Sequence, residues 1–147
     1  RLRIGEIFEP VSIREQISKE LDHIAEIVKT IDAKRLVIDP TTAFGIWFER
    51  AMLRNVLFNF TDKIRELGCT TILTSETKNR KDEFSAFGVE GFIADGVIAL
   101  YFFPPHRNLF IRKMRGTNHD KNVHPFQITE KGIEINAKET VLWEALR

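Results

Sequence analysis

Cysteine is nearly absent from this 147-residue chain: Cys69 stands alone, so no disulfide can form within it, which fits a reducing compartment and a cytoplasmic placement. No apolar run approaches the roughly 18 residues that a membrane span needs, and no signal-peptide pattern opens the sequence. Charge of one sign is not in excess either. The formal net charge is +1, which gives no global attraction for nucleic acid or an anionic membrane. Tyrosine occurs once against twelve phenylalanines, pointing to a Phe-rich core or interface. The most informative gap is chemical. Gly91 and Gly96 have the spacing of a phosphate-cradling loop, but Val97 follows where that loop needs Lys and then Ser or Thr, and no Gly-Lys pair occurs anywhere. Without it there is neither a nest of backbone N–H groups nor a lysine for the β- and γ-phosphates of a nucleotide. No Gly-x-Ser-x-Gly elbow is present and Cys69 lies in an apolar stretch, so nucleophilic catalysis has no support.

What is present reads as one domain of α/β class, with hydrophobic residues at 43% and charged residues at 29%. Leu2 to Phe8 suggests a first strand, broken by Glu9-Pro10. Ser12 and Glu15 have the spacing of a capping box. Behind them Ile13, Ile17, Leu21, Ile24 and Val28 recur every three or four residues, the period of a helix with one apolar face. Leu36-Val37-Ile38 then forms a continuous apolar run, the mark of a parallel strand buried on both faces. Phe48, Met52, Val56, Phe60, Ile64 and Leu67 repeat the helical spacing up to Gly68, and Cys69–Thr74 is the next strand. Residues 12–74 therefore predict helix, strand, helix, strand, with Lys34–Asp39 and Thr70–Thr74 adjacent and parallel and a crossover helix over 47–67.

Beyond Thr74 the pattern changes. Glu76–Glu83 is a polar run that predicts a loop, and Phe84–Phe92 a short helical segment. Val97–Phe103 and Asn108–Arg115 read as a strand and its return around Pro104-Pro105. Phe126–Thr129 and Ile133–Ile135 flank a turn at Glu130-Lys131-Gly132. This half predicts an antiparallel extension on the edge of the parallel core, closed by a terminal helix over Lys138–Arg147.

Asp39 falls where the first parallel strand leaves the sheet, the end at which ligands collect in open α/β sheets. Lys113 and Arg115 share one strand face by period two, opposite Arg112 and Met114, with Gly116 behind them allowing close backbone approach. Two adjacent cations suit a phosphate brought by a ligand or a neighbouring subunit, or equally protect a solvated edge strand. His119, Asp120 and His124 match no recognised metal spacing. Lys78, Arg80 and Lys81 are offset by Asp82 and Glu83, which makes nucleic acid an unfavoured partner.

Four stretches together, RLVIDPTTAF, TTILTSE, AFGVEGFIADGVIAL and above all IRKMRGTNHDKNVHPFQITEKGIEI, resemble the KaiC-like branch of the RecA-type ATPases over about residues 12–136. The resemblance implies a RecA-like parallel core with an antiparallel C-terminal extension. It covers the C-terminal portion of the family domain, with the N-terminal segment that carries the P-loop and a water-activating glutamate pair missing. It implies ATP and Mg²⁺ as ligands, bound between the subunits of a hexamer-like ring. Asp39 then matches the Walker-B aspartate and metal ligand, and Ser75 and Glu76 the position that senses the γ-phosphate. Lys113 and Arg115 match cations that reach a neighbour's triphosphate, and His119 a position near it. The chain alone is then expected to be inactive. Two other readings share these residues: a non-catalytic oligomerisation or partner-binding module, and a DNA-recombination module using Glu76–Gly88.

Overall fold

The computed structural model describes residues 10–47, 50–76 and 87–142. The strand expected at Leu2–Phe8 and most of the polar run after Glu76 lie outside them. The chain divides into two compact units, residues 1–76 and 77–147.

The first unit is a β-α-β crossover preceded by a helix. Helix α1 (Pro10–Thr30) begins at Pro10, where proline's missing N–H costs nothing and its fixed φ already suits a helix. Ser12 therefore lies inside the first turn, not at its cap as the sequence spacing predicts. The helix ends in a Schellman motif. The Asp32 N–H donates to the Lys29 carbonyl (3.3 Å) and the Ala33 N–H to that of Val28 (2.9 Å), with Asp32 at φ 50°. An L-residue pays a steric penalty there that glycine does not. Asp32→Gly is thus expected to raise stability by about 0.5–1 kcal/mol, read as a higher urea midpoint with an unchanged slope.

Strand β1 (Arg35–Ile38), helices α2 (Phe44–Trp47) and α3 (Arg50–Glu66), and strand β2 (Thr70–Leu73) follow. Gly68, at φ 67°, takes the left-handed position that closes α3. The two strands pair in parallel from Arg35↔Thr70 to Ile38↔Leu73, as the alternation predicts. Their core is a cluster of Leu21, Phe60 and Ile64, against which Ile17, Ile24, Ile38, Phe44 and Leu73 pack. Phe44 meets Phe60 edge-on at 4.9 Å. Only one face of the strands is covered in this way. Val37 is 62% exposed and its partner Ile72 59%, so the expectation of burial on both faces does not hold among the described residues. The reason is that the helical layer formed by α1 and α3 packs on Ile38 and Leu73, which alternate with Val37 and Ile72 along the strands.

The second unit is an antiparallel sheet in the order β3-β4-β5-β6, preceded by one helical turn, α4 (Glu90–Ile93). Strands β3 (Gly96–Phe103) and β4 (His106–Met114) form the first hairpin, and β5 (Val123–Thr129) and β6 (Gly132–Ile135) the second. Among the described residues this sheet is separate from the parallel pair. The β3–β4 register slips once. Val97 opposes Lys113 but Ile98 opposes Ile111, leaving Arg112 as the extra residue of a bulge. The terminal helix expected from Lys138 is not formed in its described part. Residues 138–142 run back beside β5, where the Val141 N–H donates to the Val123 carbonyl (2.9 Å). Asn136 holds this return, its side-chain amide donating to Glu139 Oε2 (3.0 Å) and its Oδ1 accepting from the Lys138 N–H (3.3 Å).

Candidate functional site

Asp39 is exposed at the carboxyl end of β1, as its place in the sequence predicts. Threonines hold it there. The Thr74 hydroxyl donates to Asp39 Oδ1, and the Thr74 carbonyl accepts both the N–H and the hydroxyl of Thr41, each at 2.8 Å. The Thr74 N–H in turn donates to the Ile38 carbonyl (3.0 Å). Thr41 is only 2% exposed, so its two bonds to the Thr74 carbonyl are sheltered and tie the loop after β1 to the end of β2. Ser75 and Glu76 follow Thr74 directly at the same strand ends, Ser75 half-buried and Glu76 exposed. The unit thus gathers Asp39, Ser75 and Glu76 on one rim. Asp39 was named from its position and Ser75 and Glu76 from the resemblance; Thr41 and Thr74 were not singled out, since their only signal is a hydroxyl at each strand end.

Lys113 and Arg115 lie in the other unit and act on one short segment. Lys113 Nζ donates to the carbonyls of Gly91 (2.9 Å) and Ala94 (2.8 Å). Arg115 Nη2 donates to the carbonyl of Phe92 (3.0 Å), and Nη1 forms an ion pair with Asp95 Oδ1 (2.9 Å). The Arg115 N–H also donates to the Asp95 carbonyl (2.8 Å). Cations at the last carbonyls of a helical turn complement the partial negative charge collected there. The pairing of the two cations on one face, expected from period two, is thus found. Arg112 is different: as the bulged residue it has no place in the alternation. Met114 lies over Gly96, where a Cβ would come within 2.9 Å of its Sδ. Gly116 takes φ 72° with nothing among the described residues within 4 Å of a Cβ, so its backbone angle is what calls for glycine. Asp95 is the residue that sequence reasoning did not single out, since a lone carboxylate before a strand carries no pattern.

His119 is half-buried, with Nδ1 shielded from water and without a hydrogen-bond partner among the described residues. His124, 7% exposed, clasps two loops to β5: Nδ1 meets the Glu139 carbonyl at 2.8 Å and Nε2 meets Asp120 Oδ2 at 3.1 Å. Both partners are acceptors, so each contact is a hydrogen bond only while that ring nitrogen carries its proton. The Asn122 backbone N–H, 2.7 Å from Asp120 Oδ1, holds the Asp120 carboxyl below its usual range, and His124 adds to this. A depressed carboxyl contributes stability that is present above its unfolded range and lost as pH falls through the folded value. Acidification below the usual carboxylate range is therefore expected to lower the hydrogen-exchange protection of the Asn122 amide, and Asp120→Asn to remove that acid response. Among the described residues no group of three His, Cys, Asp or Glu side chains could hold a metal ion.

A parallel β-α-β unit with a carboxylate at its strand ends, and an antiparallel sheet with paired cations, define an α/β protein of the RecA type. Residues 3–140 match the family model described as "ATPase: KaiC". The chain belongs to the KaiC ATPase family. A UPF0273 protein of Thermotoga maritima is 34% identical over 146 residues, covering 92% of this chain and 60% of that protein. A circadian clock oscillator protein KaiC of Acaryochloris marina is 33% identical over 124 residues, covering 81% of this chain and 24% of that one. Among solved structures, a KaiC-like protein of the archaeon Pyrococcus horikoshii superposes with a TM-score of 0.72 at 38% identity, covering 81% of this chain and 54% of that one. The chain thus spans between about a quarter and three fifths of the length of these relatives. No described helix is long and apolar enough to cross a membrane.

Proposed function

We propose that residues 1–147 form part of one RecA-like ATPase domain and contribute two half-sites to ATP bound between the subunits of a ring. Asp39 is the Walker-B aspartate of one half-site, with Ser75 and Glu76 beside it to sense the γ-phosphate. Lys113 and Arg115, with His119 near them, form the other half and reach the neighbour's triphosphate. The observation that carries this reading is the placing of Asp39 at the end of a parallel strand, fixed through Thr74 to the strand that leads into Ser75 and Glu76.

The residues fit Mg²⁺ in the way Mg²⁺ is usually held, by one or two carboxylates with phosphate oxygens and waters. Asp39 is exposed, and among the described residues its Oδ2 has no partner. Bound Mg²⁺ would neutralise charge on the β- and γ-oxygens. The chain's own part is to orient: Thr74 fixes the Asp39 carboxylate, and the cations meet negative charge that spreads over the transferring phosphoryl group. Nucleic acid and membranes have no place in this reading, and the cytoplasm is its setting.

The sequence offers no Gly-Lys pair to hold a triphosphate. The chain by itself is therefore expected to turn over ATP no faster than a buffer blank. Turnover above the blank, abolished by Asp39→Ala, would show that one chain completes a site and overturn the division into half-sites.

A further inference from the structure

Lys113 and Arg115 are read above as cations for a phosphate, yet both are already engaged within their own unit. Their partners differ in kind. Lys113 donates to two carbonyls at the end of α4, and one arm of Arg115 to a third. The other arm of Arg115 meets a full negative charge on Asp95. The second carboxylate of this segment, Glu90, accepts from the backbone N–H groups of Phe87 (3.1 Å) and Val89 (3.0 Å). Asp95 is thus the counter-ion that an incoming phosphate must replace.

We propose that Asp95 competes with phosphate for Arg115, so that its carboxylate sets the affinity of the Lys113–Arg115 pair for a polyphosphate chain. The proposal rests on the reading of these cations as phosphate-binding. Its logic is one of charge and exposure. Replacing the Asp95 carboxylate by a neutral amide raises the charge beside Arg115 by one. The side chains of Arg115 and Asp95 are 51% and 69% exposed, so water weakens the pair and little ordering is lost with it. Arg115 keeps its bond to the Phe92 carbonyl, and its backbone N–H keeps the Asp95 carbonyl, in any side-chain variant at position 95. The carboxylate therefore subtracts charge more than it supplies position. Asp95 meets Arg115 through one oxygen, on Nη1, and a phosphate oxygen can accept from that same N–H, so the exchange leaves the Nη2 bond to Phe92 in place.

The test titrates inorganic tripolyphosphate into this chain at low ionic strength, by calorimetry and by the ¹⁵N side-chain resonance of Arg115. Asp95→Asn is expected to bind about two- to fivefold tighter than wild type, the scale of one exposed charge pair. Asp95→Glu, which keeps the charge, should stay near wild type, and the gain should shrink as salt is added. If Asp95→Asn binds no tighter while Lys113→Ala and Arg115→Ala both weaken wild-type binding, the cations read phosphate and the competition by Asp95 is refuted. If neither alanine variant changes binding, or no variant binds, the phosphate reading of the pair fails and the proposal with it.

Discussion

Arg115→Ala is expected to lower ATP turnover by about 10²–10³-fold in an ATP-hydrolysing assembly that contains this chain, the scale of removing one preorganised donor from a phosphoryl or acyl transition state. Stability should change by no more than about 0.5 kcal/mol beyond the loss of one exposed ion pair, since Arg115 is 51% exposed. Mixing subunits then separates action in cis from action in trans. On the proposed reading, an interface that works needs Asp39 from one chain and Arg115 from the next. Rings assembled from Arg115→Ala chains and Asp39→Ala chains contain some interfaces with both residues intact, and these should recover activity that neither variant has alone. If confirmed mixed rings recover nothing, a ring with one Arg115→Ala chain among wild-type neighbours decides the cause. Loss confined to the neighbour's site keeps the assignment in trans; loss at the mutant chain's own Asp39 ends it.

Phe60→Ala is expected to destabilise the first unit by about 3–5 kcal/mol, the usual cost of emptying a buried aromatic position. Phe60 is 5% exposed, lies in the cluster with Leu21 and Ile64, and meets the ring of Phe44 edge-on. Against a total stability of about 5–15 kcal/mol for a domain, that loss is a large fraction. It also has a local consequence. Phe44 opens α2 directly after the turn that carries Thr41, so losing its partner ring loosens the loop that presents Asp39. Urea denaturation followed by circular dichroism measures the first effect, and exchange of the Thr41 amide the second. Phe58→Ala is the control. At 42% exposure it should cost far less, about 0.5–1 kcal/mol. Equal losses for the two variants would mean that the cluster does not hold this unit together.

The sequence was legible wherever spacing alone decides structure. The three- and four-residue recurrence from Ile17 to Val28 and from Met52 to Ile64 predicts α1 and α3, and the apolar runs at 36–38 and 70–74 predict two parallel strands. The second hairpin was readable from Gly132, which takes φ 110° in its turn. What spacing could not carry was the covering of faces. Leu36-Val37-Ile38 is uniformly apolar, yet Val37 is exposed, because burial depends on which layers meet the strand and not on the strand's composition. The end of the chain misled for a related reason. Residues after Lys138 have helical propensity, but the described ones are held by the nearby Asn136 side chain and by Val123 and His124, the last two distant enough to escape a local pattern. Among the candidate site residues, Asp39 was named from its position and the Lys113–Arg115 pair from its charge. Their fixing partners, Thr74 and Asp95, were not, since a hydrogen-bond acceptor or a counter-ion is chosen by geometry and leaves no periodic trace.

The bulge at Arg112 gives the cationic strand a parity of its own. In an unbroken ladder Ile111 and Lys113, two residues apart, would point the same way, and the cations would stand among Leu109 and Ile111. One residue without an opposite number reverses that phase, so Lys113 faces with Val97 while Ile111 faces with Ile98. The spacing between Lys113 and Arg115 is untouched, because both lie on the same side of the slip. Deleting Arg112 would therefore keep the pair on its present face and straighten the strand. Inserting one residue into the regular stretch between Leu109 and Ile111 would force the strand either to widen the bulge or to turn both cations over together. Length in the regular stretch before the bulge, more than the residue at the bulge itself, is what natural or engineered variation has to respect.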